Sequence, residues 1–137
     1  MSDTSAAGGP PIETVLVVEN DVLVRLAIAS YLRDCGYRVI EASSTEEATA
    51  VLTNTDIAVD IVFSAVEIGG ALDGFALSRW IRTTRPGLDV ILAGTIEKAA
   101  EEAGDLCEEG PHLKKPYEPQ QVVDWIKKLR NLRMGSM

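Results

Sequence analysis

Short runs of β-branched and aliphatic residues alternate along the chain with longer segments whose apolar positions recur every three or four residues. Four of the runs, at 15–18, 37–40, 60–65 and 89–93, predict strands. Apolar runs of this length are too short for buried helices and are typical of a parallel sheet covered on both faces. A weaker run at 112–114 predicts a short fifth strand.

The amphipathic segments between these runs predict five helices. They begin near residues 22, 45, 74, 96 and 119. Gly36 predicts the end of the first helix, since glycine readily adopts the conformation that follows a helix. Ser44, followed three residues later by Glu47, predicts a capping box at the start of the second. The fourth helix presents mostly alanine on its apolar face, so we expect it to bury little area and to be the loosest element.

This order of elements predicts an α/β fold. Strands that alternate with helices need crossover connections, which give a parallel sheet with helices on both faces. Right-handed crossovers favour a flavodoxin-like three-layer sandwich with strand order 2-1-3-4-5, whose ligand site lies at the carboxyl ends of strands one and three. We predict a disordered tail at 1–13, one domain at 14–130 and a short tail at 131–137.

Composition changes this picture mainly by exclusion. The chain has 137 residues, 46% of them hydrophobic, and a formal net charge of -8. The charge disfavours direct binding to nucleic acid or anionic membranes, because phosphates would be repelled. The sequence contains no signal peptide and no apolar run long enough to span a bilayer, so we predict a cytoplasmic protein.

The candidate chemistry outside the sheet edge is sparse. Cys35 and Cys107 have neither CxxC spacing nor a cluster of histidines nearby, so we predict free thiols in a reducing cytosol rather than a disulfide or a zinc site. With one histidine and no Ser-His-Asp or Cys-His arrangement, the chain is not predicted to be an enzyme.

Two motifs carry a resemblance to a known family. The run from Asp60 to Ala65 and the loop 66–75 resemble the third strand and following loop of response-regulator receiver domains, and 114–117, Lys-Lys-Pro-Tyr, resembles the Lys-Pro-aromatic ending of that family. The resemblance covers residues 14–130 and implies a role in a two-component or phosphorelay pathway. In such domains an aspartate at the end of the third strand accepts a phosphoryl group, assisted by Mg²⁺.

The acceptor position of that family falls on Ala65, which has no nucleophile. The acidic pair that holds the metal falls on Glu19 and Asn20, so one of the two carboxylates is replaced by a neutral amide. Glu67 lies where the family offers a backbone carbonyl to the metal. The resemblance therefore implies a metal site of Glu19, Asn20 and Glu67 with weak Mg²⁺ binding or none, and no other cofactor. Ser64 neighbours the acceptor position, but strand alternation points its side chain to the opposite face.

Three further positions complete the mapped site. The hydroxyl that follows the fourth strand in the family falls on Gly94, or on Ala93 with a one-residue deletion, and neither has a hydroxyl. The active lysine falls on Lys115, which we expect to turn toward Glu19. The aromatic switch position falls on His112, for which we predict a packing role.

These departures predict a stand-alone receiver-like protein that acts by phosphorylation-independent binding. The partner would be a histidine kinase, a phosphotransferase or another signalling protein, and the face of the fourth helix, fifth strand and fifth helix offers a surface for a homodimer. One alternative is an engineered Asp-to-Ala form of a phosphorylatable receiver. Another is a receiver phosphorylated at a non-standard residue. A flavodoxin-like small-molecule binder is disfavoured, because the acidic loop after the first strand lacks the glycines of a phosphate loop.

Overall fold

The computed structural model describes residues 12–68 and 73–107, and these form a parallel sheet with helices on both faces. The strands are β1 Thr14–Val18, β2 Arg38–Ala42, β3 Ile61–Ala65 and β4 Asp89–Ala93, in the order β2-β1-β3-β4. The four predicted strands and their order are confirmed. The fifth strand, the fifth helix, Lys115 and His112 lie outside the described residues.

Four helices connect or follow these strands. They are α1 Val22–Asp34, α2 Thr45–Thr53, α3 Gly74–Thr84 and α4 Ile96–Leu106. The predicted starts of these helices are confirmed. The bounds predicted for the second strand, 37–40, are too early, since β2 continues to Ala42 beside β1. The charged residues Arg38 and Glu41 interrupt the apolar pattern, so the sequence did not indicate the full length of the strand.

Alternate residues of the central strands supply two separate cores. Val15 and Val17 of β1 face the cluster that includes α1, whereas Leu16 and Val18 face the cluster that includes α2 and α3. Every residue of β1 is therefore buried. A strand covered on both faces explains why the run at 15–18 is continuously apolar rather than alternating.

Local signals at the helix ends largely match the sequence expectations. Gly36 follows α1 with a φ of 101°, a conformation that favours glycine. Ser44 accepts a hydrogen bond from the backbone N–H of Glu47, as predicted for the cap of α2. The reciprocal half of the capping box is wrong by one residue: the carboxylate of Glu47 accepts from the backbone N–H of Ser43, at 2.7 Å. These Ser43 contacts hold the pKa of Glu47 below its ordinary value.

The fourth helix lies on the same face of the sheet as α1. Ala99, Ala103 and Cys107 belong to the same buried cluster as Ile28 and Leu32 of α1. A right-handed crossover from β4 to a strand beyond it would place the connecting helix on the opposite face, with α2 and α3. The packing of α4 against α1 therefore differs from the arrangement that a right-handed crossover from β4 predicts.

One sequence expectation is overturned where α1 and α4 end. Cys35 and Cys107 form a disulfide, with a Cα–Cα distance of 5.6 Å across a sequence separation of 72. The prediction of two free thiols is wrong because the contact depends on the packing of α4 against α1, which the cysteine spacing does not reveal. Both helices run back from the carboxyl edge of the sheet, so their last residues meet.

Within residues 12–68 and 73–107, no helix has the length and apolar character needed to cross a membrane.

Candidate functional site

A cavity of about 260 Å³ opens at the carboxyl edge of the sheet, between β1, β3, β4 and the first turns of α1 and α4. Among its lining residues are Glu19, Asn20, Ala65, Glu67 and Gly94. Strands one and three end side by side, with Val18 opposite Ser64, so the loops that follow them meet here. The structure therefore brings together all the mapped site positions that lie within its described residues.

Ala65, the residue that the resemblance maps to the acceptor position, lines this cavity. Ala65 is the last residue of β3 and pairs with Ala93 at the end of β4. The next residue holds the two strand ends together, because the backbone N–H of Val66 donates to Ala93 O at 3.0 Å. Ala65, to which the resemblance maps the acceptor position, therefore lies where the paired ends of β3 and β4 are hydrogen-bonded together, and its side chain offers no oxygen.

The loop after β1 is fixed by its own acidic side chains. The carboxylate of Glu19 accepts from the backbone N–H of Asp21, at 2.8 Å. Asp21 in turn accepts from the backbone N–H groups of Leu23 and Val24, at 3.0 and 3.2 Å. Asp21 is thus the N-cap of α1, and part of the coordinating capacity of Glu19 is already used within the loop.

Arg25 of α1 connects this loop to β2. Its Nε atom donates to Glu41 Oε1 on β2 at 3.2 Å, and a terminal nitrogen donates to the Glu19 backbone oxygen at 3.0 Å. The Arg25 and Glu41 side chains are 15% and 22% exposed. The pair is therefore shielded enough from solvent for its hydrogen bonds to contribute to stability. Through Arg25 it connects the loop after β1 to β2.

We expect Arg25→Met to destabilise the fold by about 2 kcal/mol, since it leaves the Glu19 carbonyl and one Glu41 oxygen without these donors. Arg33→Met is the matched control. Arg33 bonds the other Glu41 oxygen and the Val39 carbonyl but is 46% exposed, so its loss should cost less than about 1 kcal/mol. Chemical denaturation measures both, and equal losses would contradict a shielded role for Arg25.

The loop after β3 approaches the strand end very closely. The backbone N–H of Gly74 donates to Val66 O at 2.7 Å. A Cβ at position 74 would overlap Ala65 O and lie 2.9 Å from Val66 Cα. The glycine therefore allows α3 to start directly against the acceptor position.

Ser64, beside Ala65, does not line the cavity. The side chain is fully buried, and its hydroxyl donates to Ala65 O at 2.8 Å. The sequence expectation that Ser64 points away from the site is confirmed.

The site fits Mg²⁺ poorly. Magnesium prefers several oxygen ligands in octahedral geometry, and the acceptor carboxylate is here a methyl group. Among residues 12–68 and 73–107, no group of three or more His, Cys, Asp or Glu side chains is arranged to hold a metal ion. Glu19, Asp21 and Glu67 provide carboxylates, of which Glu19 and Asp21 already accept backbone hydrogen bonds, and the exposed Asn20 adds an amide. We therefore derive no chemistry through a bound metal.

Sequence reasoning missed the apolar floor of the cavity. It is formed by Val17, Val24, Ile28, Phe63 and Ala99. The helical spacing of Val24 and Ile28 and the strand alternation of Val17 and Phe63 place them on the α1 face. The sequence therefore contained a pattern from which these four lining residues could have been predicted. The contribution of Ala99 required knowledge of where α4 lies.

The fold and this edge geometry define a receiver domain of the two-component class. The sequence profile of the response regulator receiver domain matches residues 15–127. The chain belongs to the response regulator receiver domain family.

Individual relatives agree with this assignment. The chain is 33% identical over 114 residues to the response regulator protein FleR of Pseudomonas aeruginosa, covering 82% of this chain and 23% of FleR. It is 32% identical over 117 residues to the sensor kinase CckA of Brucella abortus, covering 85% of this chain and 12% of CckA. The chain thus spans less than a quarter of either relative.

A solved structure is similar across most of the chain. The crystal structure of a putative response regulator from Chloroflexus aurantiacus is 29% identical, with a TM-score of 0.55, and the match covers 87% of this chain and 98% of that one.

Proposed function

We propose that this receiver domain signals by binding a protein partner without accepting a phosphoryl group. The observation that carries the proposal is Ala65, the last residue of β3, at the mouth of the cavity. Formation of an acyl phosphate needs a carboxylate oxygen that attacks phosphorus. A methyl group at this position cannot supply it.

The surroundings of Ala65 support the proposal. Ser64 is buried and its hydroxyl is bonded to a backbone oxygen. The Thr95 hydroxyl oxygen accepts from the backbone N–H of Lys98 at 3.0 Å and caps α4. Glu67 retains a carboxylate, but it lies on an exposed loop beyond the strand end. None of these side chains occupies the position of the missing aspartate.

The partner class follows from charge and family. A net charge of -8 disfavours nucleic acid, and curated relatives include a sensor kinase and a response regulator. We infer a protein partner from a two-component pathway, a histidine kinase or a phosphotransferase among them, in the cytoplasm. Without an acceptor, the surface presented to that partner is set by sequence rather than by a phosphorylation equilibrium.

Phosphotransfer is tested by incubating the protein with acetyl phosphate and Mg²⁺ and measuring intact mass. We expect no phosphoryl adduct on the wild-type chain. The variant Ser64→Ala checks the buried hydroxyl, and Ala65→Asp restores a carboxylate as a positive comparison. A stoichiometric adduct on the wild-type protein would contradict the proposal, and its position by peptide mapping would identify a non-standard acceptor.

Binding is tested separately by affinity capture from the native host with three baits: wild type, Ala65→Asp and Ala65→Asn. The asparagine controls for side-chain size without charge or reactivity. We expect all three baits to retain the same partner with affinities that agree within about threefold, which is under 1 kcal/mol. A partner retained only by Ala65→Asp in the presence of a phosphodonor would show that binding still requires phosphorylation.

A further inference from the structure

The seam between α1 and α4 is held mainly at its carboxyl end. Along the seam, α4 contributes the small side chains of Ala99 and Ala103, which bury little apolar area. At the end, the Cys35–Cys107 disulfide joins the two helices, and the Tyr37 hydroxyl donates to Leu106 O at 2.7 Å. One covalent bond and one hydrogen bond therefore join the end of α4 to the end of α1 and to Tyr37.

The other end of the same helix borders the candidate site. Thr95 caps α4, and Thr95 and Ala99 both line the cavity beside Gly94. The contacts that hold α4 against α1 therefore also position one wall of the cavity.

We propose that Cys35 and Cys107 form a reversible thiol–disulfide exchange site whose redox state determines how firmly α4 is held on α1. The co-reactant is a thiol reductant, supplied by glutathione or by a protein dithiol. The inference goes beyond the proposed function and does not depend on it, because the site would exchange with or without an acceptor at position 65.

The two sulfurs differ in access, which sets the order of the reaction. Cys107 is 2% exposed, whereas Cys35 is partly exposed. A thiolate reductant therefore attacks Cys35 Sγ, the bond between the two protein sulfurs breaks, and Cys107 leaves as a thiolate that takes up a proton. A second reductant thiol then attacks the mixed disulfide and releases Cys35. Two electrons pass to the protein, which gains two thiols, and two reductant thiols become one disulfide.

The redox equilibrium is tested on the full chain in glutathione buffers of graded ratio, with alkylation and mass spectrometry to count thiols. We expect the protein to convert between zero and two free thiols with a single midpoint. Parallel buffers also contain a dithiol oxidoreductase. If a protein dithiol is the reductant, the thiol count should reach the same equilibrium faster in these buffers than with glutathione alone. Two thiols that persist under the most oxidising buffer would overturn the proposal.

The consequence for α4 is tested by hydrogen exchange of the oxidised and reduced protein. We expect reduction to accelerate exchange in residues 96–106 at least about tenfold and to leave α2, residues 45–53, nearly unchanged. The unfolding temperature should fall by about 10 °C. The double variant Cys35→Ala with Cys107→Ala should match the reduced protein under both conditions. Equal hydrogen-exchange rates of α4 in the two redox states would refute the proposal that the disulfide holds α4 on α1.

The single variants test the order of attack. Cys107→Ala leaves Cys35, which should form a mixed disulfide with glutathione. Cys35→Ala leaves Cys107, which should be alkylated at least about tenfold more slowly than Cys35 because it is shielded. If the mixed disulfide forms on Cys107 instead, the assigned reaction order is wrong.

Discussion

Gly74→Ala is expected to destabilise the fold by about 3 kcal/mol, because the added methyl has no space at the junction of β3 and α3. The new Cβ would overlap Ala65 O and crowd Val66 Cα. Both neighbours are backbone atoms of the strand end, so relief requires α3 or the loop to move. We expect the unfolding temperature to fall by roughly 10 °C, measured by calorimetry.

Gly94→Ala is the matched control. A Cβ at position 94 meets nothing within 4 Å, so this variant should lie within about 1 kcal/mol of the wild type, on the stabilising side if anything. Gly74 lies against the end of β3 and Gly94 follows the end of the neighbouring β4, so the comparison tests the space available to the added methyl group. A Gly74→Ala variant as stable as Gly94→Ala would show that the junction adapts easily and that the close approach does not constrain the site.

The fold could be predicted from sequence wherever local pattern and global packing agree. The run at 15–18 is continuously apolar because both of its faces are buried, and its strand assignment is confirmed. Asp21 and Ser44 cap helices in the structure as their positions indicate. Each of these signals lies within a few residues of the element that it specifies.

Features that depend on long-range packing could not be predicted. Nothing local in residues 96–106 indicates which face of the sheet the helix covers, because its alanines are compatible with either face. The Cys35–Cys107 bond and the contribution of Ala99 to the cavity follow from that choice of face. The residues Glu19, Asn20, Glu67 and Gly94 were mapped through the resemblance to receiver domains, and they meet in the structure because they follow strand ends that converge in this topology.

Several contacts hold the edge of the cavity around Ala65 in place. Arg25 holds the Glu19 loop to β2, and Gly74 brings α3 against the end of β3. These contacts keep the cavity edge in shape although position 65 lacks a carboxylate. The proposed phosphorylation-independent recognition requires such contacts, because the partner then binds one fixed surface.

Ala65→Asp should convert this edge into a site whose stability depends on Mg²⁺. The new carboxylate would join Glu19, Asp21 and Glu67 around the cavity. In the absence of divalent ions, like-charge repulsion among partly exposed carboxylates should lower stability by about 1 kcal/mol. At a Mg²⁺ concentration about ten times the dissociation constant, binding to the folded state should restore about 1.4 kcal/mol. The unfolding temperature of this variant should therefore rise with Mg²⁺.

Wild type and Ala65→Asn are the comparisons for this titration. Both lack the carboxylate that Ala65→Asp adds to the cavity, so we expect unfolding temperatures that change little with millimolar Mg²⁺, and titration calorimetry should detect no tight saturable binding. Ca²⁺ in place of Mg²⁺ reports whether the variant responds to divalent charge in general. A wild-type protein that responds to Mg²⁺ as strongly as Ala65→Asp would mean that Glu19, Asn20 and Glu67 already suffice to hold the ion, and the poor fit of the site to magnesium would be wrong.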